Sequence, residues 1–129
     1  MRLLLDTQAL IWWLDTPERL KREAHRAIED PRNSVYTSVV ALWEIAIKLR
    51  LRKIRFRPNL ASWVPDELAQ QRFTVLPVEL SHAMAVEHLH LHHNDPFDRL
   101  LIAQAQAERL TIVTADEKFR AYDVPVIWT

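Results

Sequence analysis

The 129-residue sequence contains no glycine and no cysteine. Without glycine, the P-loop and the dinucleotide fingerprint cannot bring backbone close to a phosphate, so ATP or NAD chemistry by those routes is excluded. Without cysteine there are neither disulfides nor thiolate metal sites. Net charge is also missing, because 17 basic residues balance 17 acidic ones. Bulk electrostatics therefore do not mark the chain as a nucleic-acid binder. No run approaches the ~18 apolar residues of a membrane span. The opening run Met1-Arg2-Leu3-Leu4-Leu5 meets Asp6 too early for a secretory leader. A cytoplasmic protein with no membrane contact is the expectation.

What is present suits one packed domain over residues 1–129, with 49% hydrophobic residues to fill its core. Short apolar runs alternate with amphipathic segments. Strands are expected from Arg2 to Leu5, Ser34 to Thr37, Phe73 to Leu76, Leu110 to Val113 and Val124 to Ile127. Helices are expected from Thr7 to Leu14, from the Thr16-Pro17-Glu18 start to Asp30, and from the Ser38 cap to Leu49. Others should run from Asn59 to Gln71, Glu79 to His88, Asp95-Pro96 to Glu108, and Ala115 to Tyr122. Such alternation implies an α/β fold with a mainly parallel sheet covered on both faces. Ligands of such sheets bind beyond the carboxyl ends of the strands.

Four acids gather around those ends. Asp6 follows the first strand, where an N-cap is the ordinary explanation. Glu44 is the only charged residue between Ser38 and Ile47, in a helix apolar nearly all round. A carboxylate there is costly unless paired or bound to metal; an i,i+4 pair with Lys48 is the structural alternative. Asp98 shares a helix face with Leu101, Ile102 and Ala105, so it should point towards the sheet, whereas Asp95 reads as the helix cap before Pro96. Asp116 follows the fourth strand within Thr114-Ala115-Asp116-Glu117, which also matches a capping box. Each acid alone has a structural explanation. Together they can converge in one crevice, where their repulsion calls for protons or a cation. All-oxygen ligands suit Mg²⁺ or Mn²⁺.

An early strand ending in Asp6-Thr7, a helical Glu44, Asp95-Pro96-Phe97-Asp98-Arg99-Leu100-Leu101-Ile102-Ala103 and Thr114-Ala115-Asp116 resemble the acidic signature of PIN domains. Their order and surroundings are similar to those of VapC-like toxins, across essentially the whole chain. The resemblance implies a three-layer α/β/α sandwich. It implies Mg²⁺- or Mn²⁺-dependent endonucleolytic cleavage of RNA, leaving a 5′-phosphate and a 3′-hydroxyl. Asp6, Glu44, Asp98 and Asp116 would be both the catalytic and the metal-binding residues, with Thr114 supporting them. It further implies a cognate antitoxin, a homodimer, and operator DNA bound only through the antitoxin complex. One departure is that relatives often carry glycine near Arg52, after the Glu-bearing helix; here the sequence is Leu49-Arg50-Leu51-Arg52-Lys53-Ile54.

Lys48, Arg50, Arg52, Lys53, Arg55 and Arg57 form a run without acids. RNA contacts are expected from Lys48, Arg50 and Lys53, and from Arg99. His88, His90, His92 and His93 are read as a solvated helix end and loop rather than a transition-metal site. Trp12, Trp13, Trp43, Trp63 and Trp128 lie in apolar runs, which favours core, dimer contact or antitoxin groove over base stacking. A phosphoryl-transfer hydrolase would want an acid two residues after Asp6, where Gln8 stands. A receiver-like domain would share only the α/β pattern. A non-catalytic PIN-like scaffold that binds RNA or protein should have lost at least one acid, yet all four are present.

Overall fold

A computed structural model describes residues 1–129. Five strands are found: β1 (Arg2–Leu5), β2 (Ser34–Ser38), β3 (Thr74–Leu76), β4 (Thr111–Thr114) and β5 (Val126–Trp128). Six α-helices connect them: α1 (Thr7–Asp15), α2 (Arg22–Glu29), α3 (Val39–Arg50), α4 (Leu60–Gln70), α5 (Leu80–Ala85) and α6 (Pro96–Glu108). Three short 3₁₀ turns cover Pro17–Arg19, Val86–His88 and Glu117–Ala121.

Leu3, Leu4 and Leu5 of β1 have no exposed surface. Successive strand side chains point to opposite faces, so three consecutive buried leucines must be covered on both sides. Leu3 and Leu5 join a core with Leu10 of α1, Ile28 of α2, Ile45 of α3 and Leu68 of α4. Leu4 joins a second core with Leu101, Ile102 and Ala105 of α6. The result is a three-layer α/β/α fold. Its sheet has strand order β3-β2-β1-β4-β5, and every pair in it is parallel.

That order places a reversal beside β1. The chain moves from β1 outward through β2 to β3, then returns to the other side of β1 as β4. Crossovers of one hand that run in opposite directions put their helices on opposite faces. The loops leaving β1 and β4 therefore separate and open a crevice between them.

Several boundaries differ from the sequence reading. The helix expected from Thr16 is broken: a 3₁₀ turn gives way to extended Leu20, which is buried in the core, and α2 starts only at Arg22. Thr16 makes no side-chain cap. Thr114 does not cap either; it ends β4, and Asp116 caps the following 3₁₀ turn through Lys118 N. The last strand is shifted to Val126–Trp128. Ser38 does cap α3, accepting from Val40 N at 3.0 Å.

The absence of glycine has a visible substitute. Arg52, Arg72 and Arg109 have φ of 57°, 59° and 55°. They follow α3, α4 and α6 in the left-handed position that glycine usually takes. After α3, Lys53 N–H donates to Lys48 O at 2.8 Å and Arg52 N–H to Leu49 O at 3.1 Å, the double bond pattern of a glycine-ended helix. Arginine thus closes α3 where relatives often use glycine. Left-handed backbone costs a residue with a Cβ roughly 1–2 kcal/mol, partly offset by the greater freedom glycine loses on folding. Replacing all three arginines by glycine is therefore expected to raise Tm by several degrees, while the matching alanine variants do not. Thermal unfolding followed by circular dichroism checks both.

Candidate active site

Asp6 leaves β1 at the crevice and serves two purposes. Its N–H extends the ladder to Val113 O at 3.1 Å, and its Oδ1 caps α1 by accepting from Ala9 N at 2.8 Å. Its Oδ2 accepts from the Thr114 hydroxyl at 2.5 Å. Thr114 Oγ1 in turn accepts from Asp116 N at 3.0 Å. The cap and the site are thus one residue, and Thr114 joins the ends of two strands through side chains.

Glu44 is 4% exposed on α3. Thr7 Oγ1 donates to its Oε1 at 2.6 Å, and Lys48 Nζ donates to its Oε2 at 2.5 Å. The i,i+4 pair anticipated from spacing exists. Because Glu44 is buried, it differs from a surface pair: removing Lys48 would strand a charge away from water. That contact also raises the pKa of Lys48.

The Asp-Pro start of α6 brings two more acids. Asp95 Oδ1 accepts from Phe97 N at 2.9 Å and Asp98 N at 3.2 Å, so it caps as expected. Asp98 lies one turn on, its side chain 14% exposed.

These residues line one cleft of about 330 Å³ that contains Asp6, Glu44, Asp95, Asp98 and Asp116 beside Lys48. Five carboxylates face one ammonium group. Asp95 is the member the sequence reading assigned to capping alone. The spacing held a signal for it, since a cap sits one turn before the third helical residue. Burial pushes Asp98 up to about 8, with Asp95, Asp6, Glu44 and Asp116 adding repulsion. Burial likewise raises Asp6 to about 6, against the opposing bonds from Thr114 and Ala9, while Asp116 and Glu44 add to the rise. No three acids close on a common point as a ready-made cage. A hard divalent cation does not require one, because Mg²⁺ usually keeps waters and takes one or two carboxylates. The oxygen-only donors and unbalanced negative charge fit such an ion.

Residues 3–125 match the PIN domain family. The chain is a PIN-domain protein. It is VapC-like in particular: it is 30% identical over 122 residues to Ribonuclease VapC22 of Mycobacterium tuberculosis, covering 95% of this chain and 92% of that one. It is 38% identical over 61 residues to Ribonuclease VapC16 of the same organism, across 47% of this chain and 42% of that one. Among solved structures, VapBC2 of Rickettsia felis bound to a promoter DNA fragment superposes with a TM-score of 0.72 at 16% identity, covering 98% of both chains. DNA-bound VapBC of Salmonella typhimurium gives 0.73 at 16% identity, covering 98% of this chain and 97% of that one. These structural likenesses support the PIN fold.

Within this PIN domain, Arg99 is not where an RNA-contacting residue should be. It is 8% exposed, and its guanidinium donates to Leu89 O at 3.0 Å, His90 O at 2.9 Å and the Tyr122 hydroxyl at 3.2 Å. Its position on α6 turns it inward, and its two terminal nitrogens tie down the loop before Asp95. Lys48 lines the cleft, while Arg50 and Lys53 are exposed beyond it. The histidines divide: His88, His90 and His92 are exposed, whereas His93 is 11% exposed beside Asp98. Trp63 is core, and Trp12, Trp13 and Trp128 are partly buried against the two cores. Trp43 is 58% exposed, edge-on to Phe97.

The raised acids set the sign of the pH response. A carboxyl whose folded pKa exceeds its unfolded value holds its proton in the native state between the two, so native stability falls as pH rises through that window. For Asp98 the window runs from its usual 3.8 to about 8. In chelator-treated protein, Asp98→Asn is expected to raise Tm at pH 8 by about 3–5 °C per kcal/mol of relieved strain, and to change it little at pH 4. Equal shifts at both pH values would place the effect in packing rather than charge.

Proposed function

We propose that this PIN-domain protein is a Mg²⁺- or Mn²⁺-dependent endoribonuclease and the toxin half of a toxin–antitoxin pair. The observation that carries the reading is the single cleft holding Asp6, Glu44, Asp95, Asp98 and Asp116, with Lys48 the one cation on its wall. The ribonuclease named as a relative over 95% of the chain supports RNA as substrate. The cleft offers no cysteine and no glycine-built cradle, so side-chain oxygens are its chemistry.

Asp6, Glu44 and Asp98 would hold the cation, directly or through water, with Asp116 completing the site. Bound there, the cation would lower the pKa of a water and neutralise charge on the scissile phosphate. Thr7 and Thr114 orient the carboxylates of Glu44 and Asp6. Lys48 keeps Glu44 in place and offers the phosphate a positive charge in an otherwise acidic cleft. Arg50 and Lys53 steer the RNA backbone from outside.

The partner of this protein is proposed to be a cognate antitoxin, as in the VapBC complexes that share its fold. Operator DNA would be bound only through that complex. A homodimer is also proposed, with the exposed apolar side chains Val39, Trp43, Leu80, Met84 and Leu91 as candidates for its contact. No helix is long and apolar enough to cross a membrane.

The test is cleavage of total cellular RNA by purified, antitoxin-free protein with Mg²⁺, with Mn²⁺ and with EDTA. Cleavage is expected with either metal and none with EDTA. Asp98→Asn should lower the rate by about 100-fold or more while remaining folded. Cleavage that survives EDTA, or full activity in the folded variant, would overturn the site. Folded protein that binds RNA and never cuts it would point to a scaffold.

A further inference from the structure

A line of polar side chains runs from the interior to the back of Asp98. Arg99 NH1 donates to the Tyr122 hydroxyl at 3.2 Å. Arginine has no acceptor, so the hydroxyl oxygen accepts that bond and its own proton is free to donate. The next atom is His93 Nδ1, at 2.6 Å. Either ring nitrogen can bear the proton of a neutral imidazole; donation of the Tyr122 proton to Nδ1 leaves it on Nε2. His93 Nε2 is buried without a hydrogen-bond partner. It lies 3.5 Å from Asp98 Oδ2, and the two side chains are 11% and 14% exposed. The His93 ring also packs edge-on against Tyr122, with centroids 5.4 Å apart, which limits its rotation.

We infer that His93 is a positioning residue for Asp98. The relay from Arg99 through Tyr122 favours its Nε2–H tautomer, and that N–H faces Asp98 Oδ2 at 3.5 Å, leaving the other oxygen for the cleft. The inference rests on the proposed metal-dependent reading. Asp98 needs such support more than its neighbours do. Asp6 is oriented by Thr114 and Ala9 and Glu44 by Thr7 and Lys48, whereas no hydrogen bond of Asp98's carboxylate is formed elsewhere. A carboxylate without a bond at its back swings between orientations, and each orientation it must abandon weakens its hold on an ion. Partners of this kind are typically worth about 10–100-fold in metal affinity. The inference also gives the Tyr122 hydroxyl and the inward turn of Arg99 a common purpose at the cleft.

The experiment compares wild type with His93→Leu, His93→Gln and Tyr122→Phe, each checked for folding by thermal unfolding. Mn²⁺ binding to the full chain is read by electron paramagnetic resonance, without RNA. His93→Leu is expected to weaken Mn²⁺ binding about 10–100-fold. His93→Gln, which retains an N–H donor, should recover most of the loss, and Tyr122→Phe should lie between. In metal-free wild type, ¹⁵N shifts of His93 should show the Nε2–H tautomer, and Tyr122→Phe should mix the two forms. Wild-type affinity in folded His93→Leu, or an Nδ1–H tautomer in wild type, overturns the inference alone. Wild type that binds no Mn²⁺ overturns the metal-dependent reading, and the inference with it.

Discussion

The bond from Thr114 to Asp6 joins the carboxyl ends of β4 and β1, the two strands between which the chain reverses direction. Much of the cleft depends on that junction. It brings the residue leaving β1 within reach of the loop leaving β4, and the same Thr114 oxygen holds the Asp116 backbone. It also keeps Asp6 oriented although burial works against its charge. Beside it, Asp6 N–H bonds to Val113 O, so backbone and side chain together oppose the repulsion between Asp6 and Asp116.

Around this junction the fold concentrates like charge instead of dispersing it. Glu44 enters from α3, while Asp95 and Asp98 enter from the first turn of α6, and only Lys48 offsets them. Crowding these acids is locally unfavourable, and the two apolar cores compensate elsewhere. The leucines of β1 anchor both cores, so the strand that supplies Asp6 is held from both faces of the sheet. A rigid strand end is a precise platform for a charged group.

The family resemblance and the alternating pattern made the architecture readable before any coordinates. The parallel sheet and all five strands are present, as are the caps at Ser38 and Asp95. The errors were local. The helix from Thr16 had good starting residues, but burial of Leu20 overrode them. Thr114 and Glu117 fitted a capping box, yet Thr114 was taken into the strand, where its hydroxyl found Asp6. Arg99 looked like a phosphate-binding side chain because sequence shows charge and not direction. Its place on α6 turned it towards carbonyls that no local pattern reveals.

The sequence by itself determined the residue types: oxygen ligands only, no glycine cradle, no thiolate, and one buried glutamate in an apolar helix. It also determined the periodicities that demand a covered parallel sheet. Tertiary structure alone decided which of those residues meet. Asp6 and Thr114 are 108 residues apart in the chain, and His93 and Tyr122 are 29 apart. The charge environment of Asp98 likewise depends on acids from four segments. Hydrophobic periodicity is a local property that a short window of sequence records. Desolvation and repulsion depend on distances through space, and those are set only when the sheet has closed and its loops have been brought to one edge.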